Sequence, residues 1–386
     1  VPKTAWKPVC QPSDDSKLAL TFLGAVPHSP AIYTSNAPHS QGSMPLSVSA
    51  ALTTLSEAGA ARDTGGRLQE RLADAQSFLG QELVWLEAEL AKAVLGGPDP
   101  ATQAALHLIG RGGKRVRPLA LLLSAACFGK IPSVARELGV VAELVHSATL
   151  LHDDVVDEGQ ERRGAPAARR IWGNGISVLA GDLLLVSALE RTSQIAPDSM
   201  VDLVGTLRCL VEGEVVQLRG RTELDVSEAT YDVILRKKTA SLFAWATRTG
   251  ARLGGASEAV QARFGQFGEL LGIAFQLVDD VLDYSGENTG KTLFADLTEG
   301  KLTLPLVLAV SQRPELLAPL AEIHSGDARR VAEVSRAVVE SGACDEVRLR
   351  AKRHTELAVA QLLGIPASPA KTLLEHVAFQ LAQRVA

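Results

Sequence analysis

The sequence predicts an all-α protein, a single large bundle of ten or more helices around a central cavity. Three observations predict it. From Arg67 onward, apolar residues recur every three or four positions almost without interruption. No segment alternates polar and apolar residues long enough to read as a strand. The pattern D-D-x-x-D occurs twice, at Asp153–Asp157 and Asp279–Asp283, each time closing an apolar run. Two carboxylates one turn apart on a helix repel each other, and the negative end of the helix dipole adds to the clash. Something cationic must offset this. Hard divalent ions such as Mg2+ take carboxylate oxygens and keep part of their coordination for water or phosphate. A solvated helix end would account for one such motif. Two of them point to helices facing each other across a cavity, with metal between the carboxylates and a polyphosphate below.

Bulk composition narrows the class. The 386 residues suffice for one large domain or two ordinary ones, and 46% of them are hydrophobic. A net charge of -5 argues against a nucleic-acid surface. Cys10, Cys127, Cys209 and Cys344 form no C-x-x-C pair and are expected to be reduced thiols of a cytoplasmic protein. The eight histidines include no H-x-x-x-H, so zinc has no support. No apolar run reaches the ~18 residues of a membrane span. The nearest, Ile176–Leu189, is broken by Asp182. No integral membrane segment is expected, while peripheral contact stays open.

In chain order, residues 1–64 are rich in Pro, Ser, Thr, Ala and Gly and lack sustained periodicity. They are expected to be a disordered or vector-derived extension, with Gly42-Ser43-Met44 as a cloning junction; a natural processed extension is the alternative. The helical domain is expected over 65–386. Its first helix carries the stripe Leu68, Leu72, Phe78, Leu79, Leu83, Leu86, Leu90 and Val94, ended by Gly96-Gly97-Pro98. Helices are expected next at 101–109, 119–128, 134–154, 165–172 and 176–194. The remainder are expected at about 198–220, 227–253, 257–285, 302–311, 328–340, 345–362 and 367–384.

Cations recur beside the acids. Lys114, Arg115 and Arg117 follow glycines at a helix entrance, where backbone N–H groups and cationic side chains suit a phosphate. Arg162 and Arg163 sit in a glycine-proline loop just past the first motif and can grip phosphate oxygens. Lys238-Thr239 interrupts a helical stretch, and Lys291 and Lys301 flank Asp296. Each alone is weak, because loop cations are mostly solvated. Together they suggest a substrate carrying diphosphate.

Taken in order, the two aspartate motifs combine with G-K-R-V-R-P at 113–118, R-R-G-A-P at 162–166 and K-T-A at 238–240. F-Q-L-V-D-D at 275–280 and G-K-L-T-L-P at 300–305 complete the set. Over residues 67–386 this set resembles the trans-isoprenyl diphosphate synthases, or polyprenyl synthetases. One departure is Phe294, two before Asp296, where the family has glycine. The resemblance implies an isoprenoid-synthase bundle, a homodimer, and three Mg2+ ions per site. Asp153, Asp157 and Asp279 would be the principal ligands, supported by Asp280 and Asp283. Arg162, Lys238 and Lys291, with Lys301 nearby, would hold an allylic diphosphate. Isopentenyl diphosphate would lie against Lys114, Arg117, His146 and Arg163. The allylic C–O bond would ionise, with Thr239 and Gln276 stabilising the cation, and the isopentenyl double bond would attack it. Ala148 and Thr149, one turn before Asp153, are small, which implies a product of twenty carbons or more, most like the long-chain quinone precursors. A terpene cyclase, a head-to-head synthase and a non-catalytic partner subunit are the competing readings.

Overall fold

Apolar periodicity of three to four residues turns into helix through most of the computed structural model, because one stripe of each segment is buried against its neighbours. The structure describes residues 67–285 and 294–383, with side chains over 79–284 and 294–381. The 1–64 extension, the side chains of Leu68, Leu72 and Phe78, and Lys291 lie outside the described residues. The first four helices are α1 (Arg67–Lys92), α2 (Ala101–Ile109), α3 (Val116–Ala126) and α4 (Ser133–Val156). Leu79, Leu83, Leu86, Leu90 and Val94 of the predicted stripe are all at most 2% exposed. In α4, Val141, Leu144, Val145, Ala148 and Leu151 are fully enclosed.

Where a helix was expected from 165, the chain instead forms a short antiparallel hairpin, β1 (Glu161–Arg162) and β2 (Ala165–Pro166). Its two-residue turn, Arg163 and Gly164, has φ of 54° and 70°. Two left-handed residues match the natural strand twist. α5 (Ala168–Ile195) then merges the two helices expected at 165–172 and 176–194. A break remains between them at Gly173, with φ 82° and ψ 164°, a backbone that favours glycine.

α6 (Met200–Glu223) precedes a rod made of α7 (Glu228–Ile234), a π-helical turn (Leu235–Ala240) and α8 (Ser241–Leu253). The π turn falls where the sequence signalled an interruption. α9 (Glu258–Ser285), the short α10 (Ala295–Thr298), α11 (Leu304–Gln312) and α12 (Leu317–His324) follow. α13 (Val331–Glu340), α14 (Ala343–Ala360) and α15 (Pro369–Gln383) complete the described chain. α12 was not among the expected helices. Pro319 lies in its first turn, where the missing N–H has no intrahelical partner to lose.

Two apolar clusters form the interior. One gathers α1–α6 with α8, the start of α9 and α15. The other gathers α7, the later part of α9 and α11–α14. α9 belongs to both, and the cavity opens beside it, between the two clusters. α5 is long and apolar enough to cross a membrane by length and composition, contrary to the expectation from unbroken runs. Its Ala180, Leu184 and Ala188 are fully buried in the bundle, so one face of it belongs to the core. Cys127 and Cys344 are buried free thiols, as expected. Cys209 is disulfide-bonded, which corrects the expectation of a reduced thiol there.

Candidate active site

A cavity of about 1400 Å³ is walled by the entrance to α3, by α4, the hairpin, α5 and α6, and by α7 with the π turn, α9 and the 295–303 segment. It gathers Lys114, Arg117, His146, Thr149, Asp153, Asp157, Arg162, Arg163, Lys238, Thr239, Gln276, Asp279, Asp280 and Lys301. Asp283 and Ala148 are not on its wall. Ala148 is completely buried. Thr149, next to it, is the member of that pair that meets the cavity, because the cavity-facing side of α4 and its cap runs through His146, Thr149, Asp153 and Asp157 at helical spacing.

The first motif ends α4, and its acids face cations. Lys238 Nζ lies 3.6 Å from Asp153 Oδ2 and also pairs with Glu214. Asp157 receives Arg221 Nη1 at 2.7 Å and Lys301 Nζ at 3.0 Å. Burial alone would raise the Asp157 carboxyl, but Lys301, Lys238 and Arg221 outweigh it and hold it below the usual carboxylate range. The middle aspartate is different. Asp154 is 1% exposed and accepts Arg162 through Nε at 2.8 Å and Nη2 at 2.6 Å. It therefore aims Arg162 rather than facing the cavity itself.

In the second motif, Asp279 lines the cavity. Asp280 is buried, and its Oδ2 accepts the Tyr231 hydroxyl at 2.6 Å while Oδ1 accepts Gln276 Nε2 at 2.9 Å. Burial, helped by Asp296, pushes its carboxyl up to about 7 despite both hydrogen bonds. Gln276 Oε1 in turn accepts the Thr239 hydroxyl at 3.0 Å. Asp283 turns away from the cavity and accepts the backbone N–H groups of Ala295 and Asp296 at 3.0 and 3.3 Å, which ties α10 to α9. Phe294, which precedes that helix, has φ 61°, the left-handed region that favours glycine. Its ring packs on Tyr284 with centroids 6.0 Å apart, and its N–H donates to Asp283 O. A phenylalanine thus holds a left-handed backbone at this position.

The opposite wall is cationic. Arg115, grouped by sequence with Lys114 and Arg117 as suited to phosphate, instead points inward. It is 2% exposed, bonds Glu87 twice (2.8 and 2.9 Å) and Glu143 at 2.5 Å, and so locks the glycine loop to α1 and α4. Arg117 lies over the Phe243 ring at 4.6 Å, and burial brings its guanidinium down to about 10. Lys114 Nζ stands 5.9 Å from the Phe275 ring centre. Arg163 donates to Leu108 O at 3.1 Å and lies 3.7 Å from Glu143; burial lowers it to about 10 as well. Burial first, then Arg117 and Arg163, holds the His146 imidazole well below its ordinary value, so it stays neutral at pH 7. Leu185, Leu207, Leu210 and Val211 of α5 and α6 give the same cavity an apolar part of its wall.

Glu214, Arg221 and Tyr231 were not singled out from sequence. The one cue lay at Gly213. A Cβ there would come within 2.7 Å of the Lys238 backbone nitrogen, so only glycine lets α6 approach the π turn and bring Glu214 to Lys238. Among the described residues, no three acidic, His or Cys side chains converge closely enough to hold a metal ion. The donor chemistry nonetheless fits Mg2+: Asp153, Asp157 and Asp279 offer hard oxygens from two walls of one cavity.

This combination, acids on two helix ends and cations on the walls around them in an all-α bundle, defines a class of diphosphate-processing enzymes. The family model described as polyprenyl synthetase matches residues 99–341. The heptaprenyl diphosphate synthase component 2 of Geobacillus stearothermophilus is 35% identical over 312 residues, 80% of this chain and 97% of that one. The octaprenyl diphosphate synthase of Escherichia coli is 32% identical over 78% of this chain and 96% of its own. A polyprenyl synthase structure from Caulobacter crescentus, complexed with calcium and isoprenyl diphosphate, superposes with a TM-score of 0.76 at 32% identity, over 90% of this chain and all of that one. The chain belongs to the polyprenyl synthetase family and is a prenyltransferase.

Proposed function

We propose that this cavity condenses isopentenyl diphosphate with an allylic diphosphate to give a trans-polyprenyl diphosphate of twenty carbons or more, a long-chain quinone precursor before geranylgeranyl diphosphate. What supports this is one cavity lined by enough cations for two diphosphates and by apolar residues of α5 and α6. Arg162, Lys238 and Lys301 flank the aspartates and suit the allylic diphosphate. Lys114, Arg117 and Arg163, beside neutral His146, suit the isopentenyl diphosphate. A terpene cyclase has no need for that second wall. Lys291 belongs to the proposed allylic set by position in the sequence. Mg2+ bound to Asp153, Asp157 and Asp279, three ions in all, would neutralise charge on the leaving diphosphate. Within the chain, Lys238 holds that diphosphate beside Asp153, and the oxygens of Thr239 and Gln276 face the developing allylic cation. The apolar wall excludes water that would quench it. The proton lost after addition goes to the released diphosphate.

Product length is supported by Thr149, a small residue at the cavity wall, and by Leu207, Leu210 and Val211 across from it on α6. Relatives span seven, eight and nine prenyl units, with a geranylgeranyl synthase of Methanosarcina mazei also at 34% identity. A homodimer is supported by the exposed apolar faces of α5 and α6, where Leu179, Val186, Val201, Val204 and Val215 are 45–81% exposed. The Geobacillus relative is named as one component of a synthase, so a different chain on that face is the second reading. The proposed location is the cytoplasm. Incubation with radiolabelled isopentenyl diphosphate, Mg2+ and allylic primers of several lengths tests the reaction. Labelled products at or beyond twenty carbons are expected; cyclic products, or none without an added second chain, would refute it. Sedimentation analysis tests the dimer.

A further inference from the structure

Tyr231 has no part in any motif, yet it lines the cavity and ends a chain of hydrogen bonds that begins at Thr239. Its hydroxyl donates to Asp280 Oδ2 at 2.6 Å, Gln276 Nε2 donates to Asp280 Oδ1 at 2.9 Å, and Thr239 Oγ1 donates to Gln276 Oε1 at 3.0 Å. We infer that Tyr231 is a positioning residue that sets, through Asp280 and Gln276, which way the Thr239 hydroxyl points. The inference rests on the condensation reading of the site.

Donor and acceptor capacity fixes the direction of the chain. In its ionised form Asp280 only accepts: it takes the Tyr231 O–H on one oxygen and faces the NH2 end of the Gln276 amide with the other. The amide then has only its carbonyl left toward Thr239. A carbonyl only accepts, so the Thr239 hydroxyl spends its single proton on Gln276. What Thr239 can turn toward the cavity is lone pairs, which stabilise a neighbouring cation, rather than a proton, which would oppose it. Remove the Tyr231 hydroxyl and Asp280 Oδ2 loses its donor in a buried site. The Gln276 NH2 is the nearest replacement donor, and the amide can swing toward the freed oxygen. Thr239 then loses the acceptor that holds its proton away from the cavity.

The placement of Tyr231 follows from local chemistry. Ser227 caps α7, its Oγ accepting Thr230 N at 3.2 Å, while Asp225 Oδ2 accepts the Thr230 hydroxyl at 2.6 Å. The cap fixes the first turn of α7 and thereby Tyr231, which is 8% exposed and packs among the α9 and α11 side chains.

Tyr231→Phe keeps the ring and removes only the hydroxyl. The expected result is a kcat about tenfold lower, KM for both diphosphates within about twofold of wild type, and an unchanged Mg2+ requirement. In a Thr239→Val background, Tyr231→Phe should cost nothing further, since the group it acts through is gone. Independent losses in the double variant, a raised KM, or an unchanged kcat would overturn the inference. A high-resolution crystal structure of Tyr231→Phe reads the same point without turnover. The Gln276–Thr239 hydrogen bond should be lost, and its persistence would also overturn the inference. A wild-type enzyme that makes no prenyl product would sink the condensation reading instead, leaving the crystal structure to decide the hydrogen-bond chain.

Discussion

The two aspartate motifs are spelled alike and are used differently. In the first, the outer acids Asp153 and Asp157 face the cavity and its cations, while the middle one steers Arg162. In the second, Asp279 lines the cavity. Asp280 is buried as an acceptor for Tyr231 and Gln276, and Asp283 ties down α10. The reason lies in where each helix stops. α4 ends at Val156, so Asp157 is its C-terminal cap and stands free of the helix wall. α9 continues to Ser285, so Asp283 is still on a helix flank, next to the returning chain. A motif fixes spacing, and the helix end decides which carboxylates meet the cavity.

The largest expected effect tests the shared part of the pair. Asp153→Ala and Asp279→Ala should each cut turnover on the order of a hundredfold or more, with a melting temperature lowered far less than activity, because both side chains line the cavity rather than the apolar interior. Near-normal turnover in either variant at saturating Mg2+ would show that the two motifs do not act on one diphosphate. Asp283→Ala, by contrast, should lower the melting temperature and loosen the 294–303 segment, visible as faster hydrogen exchange at Ala295 and Asp296.

Next come the walls. Arg163→Ala or Lys114→Ala should raise KM for isopentenyl diphosphate on the order of tenfold, and Arg162→Ala that for the allylic substrate, one charge-assisted contact being lost in each. Equal changes for both substrates would merge the two walls into one. For chain length, Thr149→Phe should shorten the product, since that side chain meets the cavity. Ala148→Phe should act mainly on stability, costing about 1–3 kcal/mol by overpacking a closed interior. A shortened product from a fully stable Ala148→Phe enzyme would show that the tunnel passes on the other side of α4.

The smallest effect concerns pH. The Asp280 carboxyl is raised in the fold to about 7 from 3.8. Between those values the folded chain binds more protons than the unfolded one, so this group makes stability fall as pH rises from about 4 to about 7. Asp280→Asn should therefore melt higher than wild type at pH 8 and show little difference at pH 4, while turnover falls because its amide no longer offers two acceptors.

Most of the fold was legible because burying one stripe of a helix leaves a periodic trace, and the two acidic helix ends named the cavity in advance. The details that escaped share a cause. Tyr231, Glu214 and Arg221 act through contacts across 49, 24 and 64 positions of sequence, and no local pattern marks such pairs. The hairpin at 161–166 is too short for alternation to register. The side of α4 on which Ala148 falls depended on an orientation that spacing alone left open by one residue.

The π turn at Leu235–Ala240 has a consequence for how this chain tolerates change. A wider turn holds one residue more than an α-helix would, and each residue in an α-helix carries about 100° of rotation. Deleting one residue there would let the turn relax to α geometry and remain helical, so the rod would survive. Its two ends would not stay in phase: with Thr239 held against α9, Tyr231 would swing by roughly a quarter of a circle and leave Asp280 behind. The extra residue therefore works as a phase setting between two helix faces, and its loss would produce a folded protein with a mistimed site rather than an unfolded one.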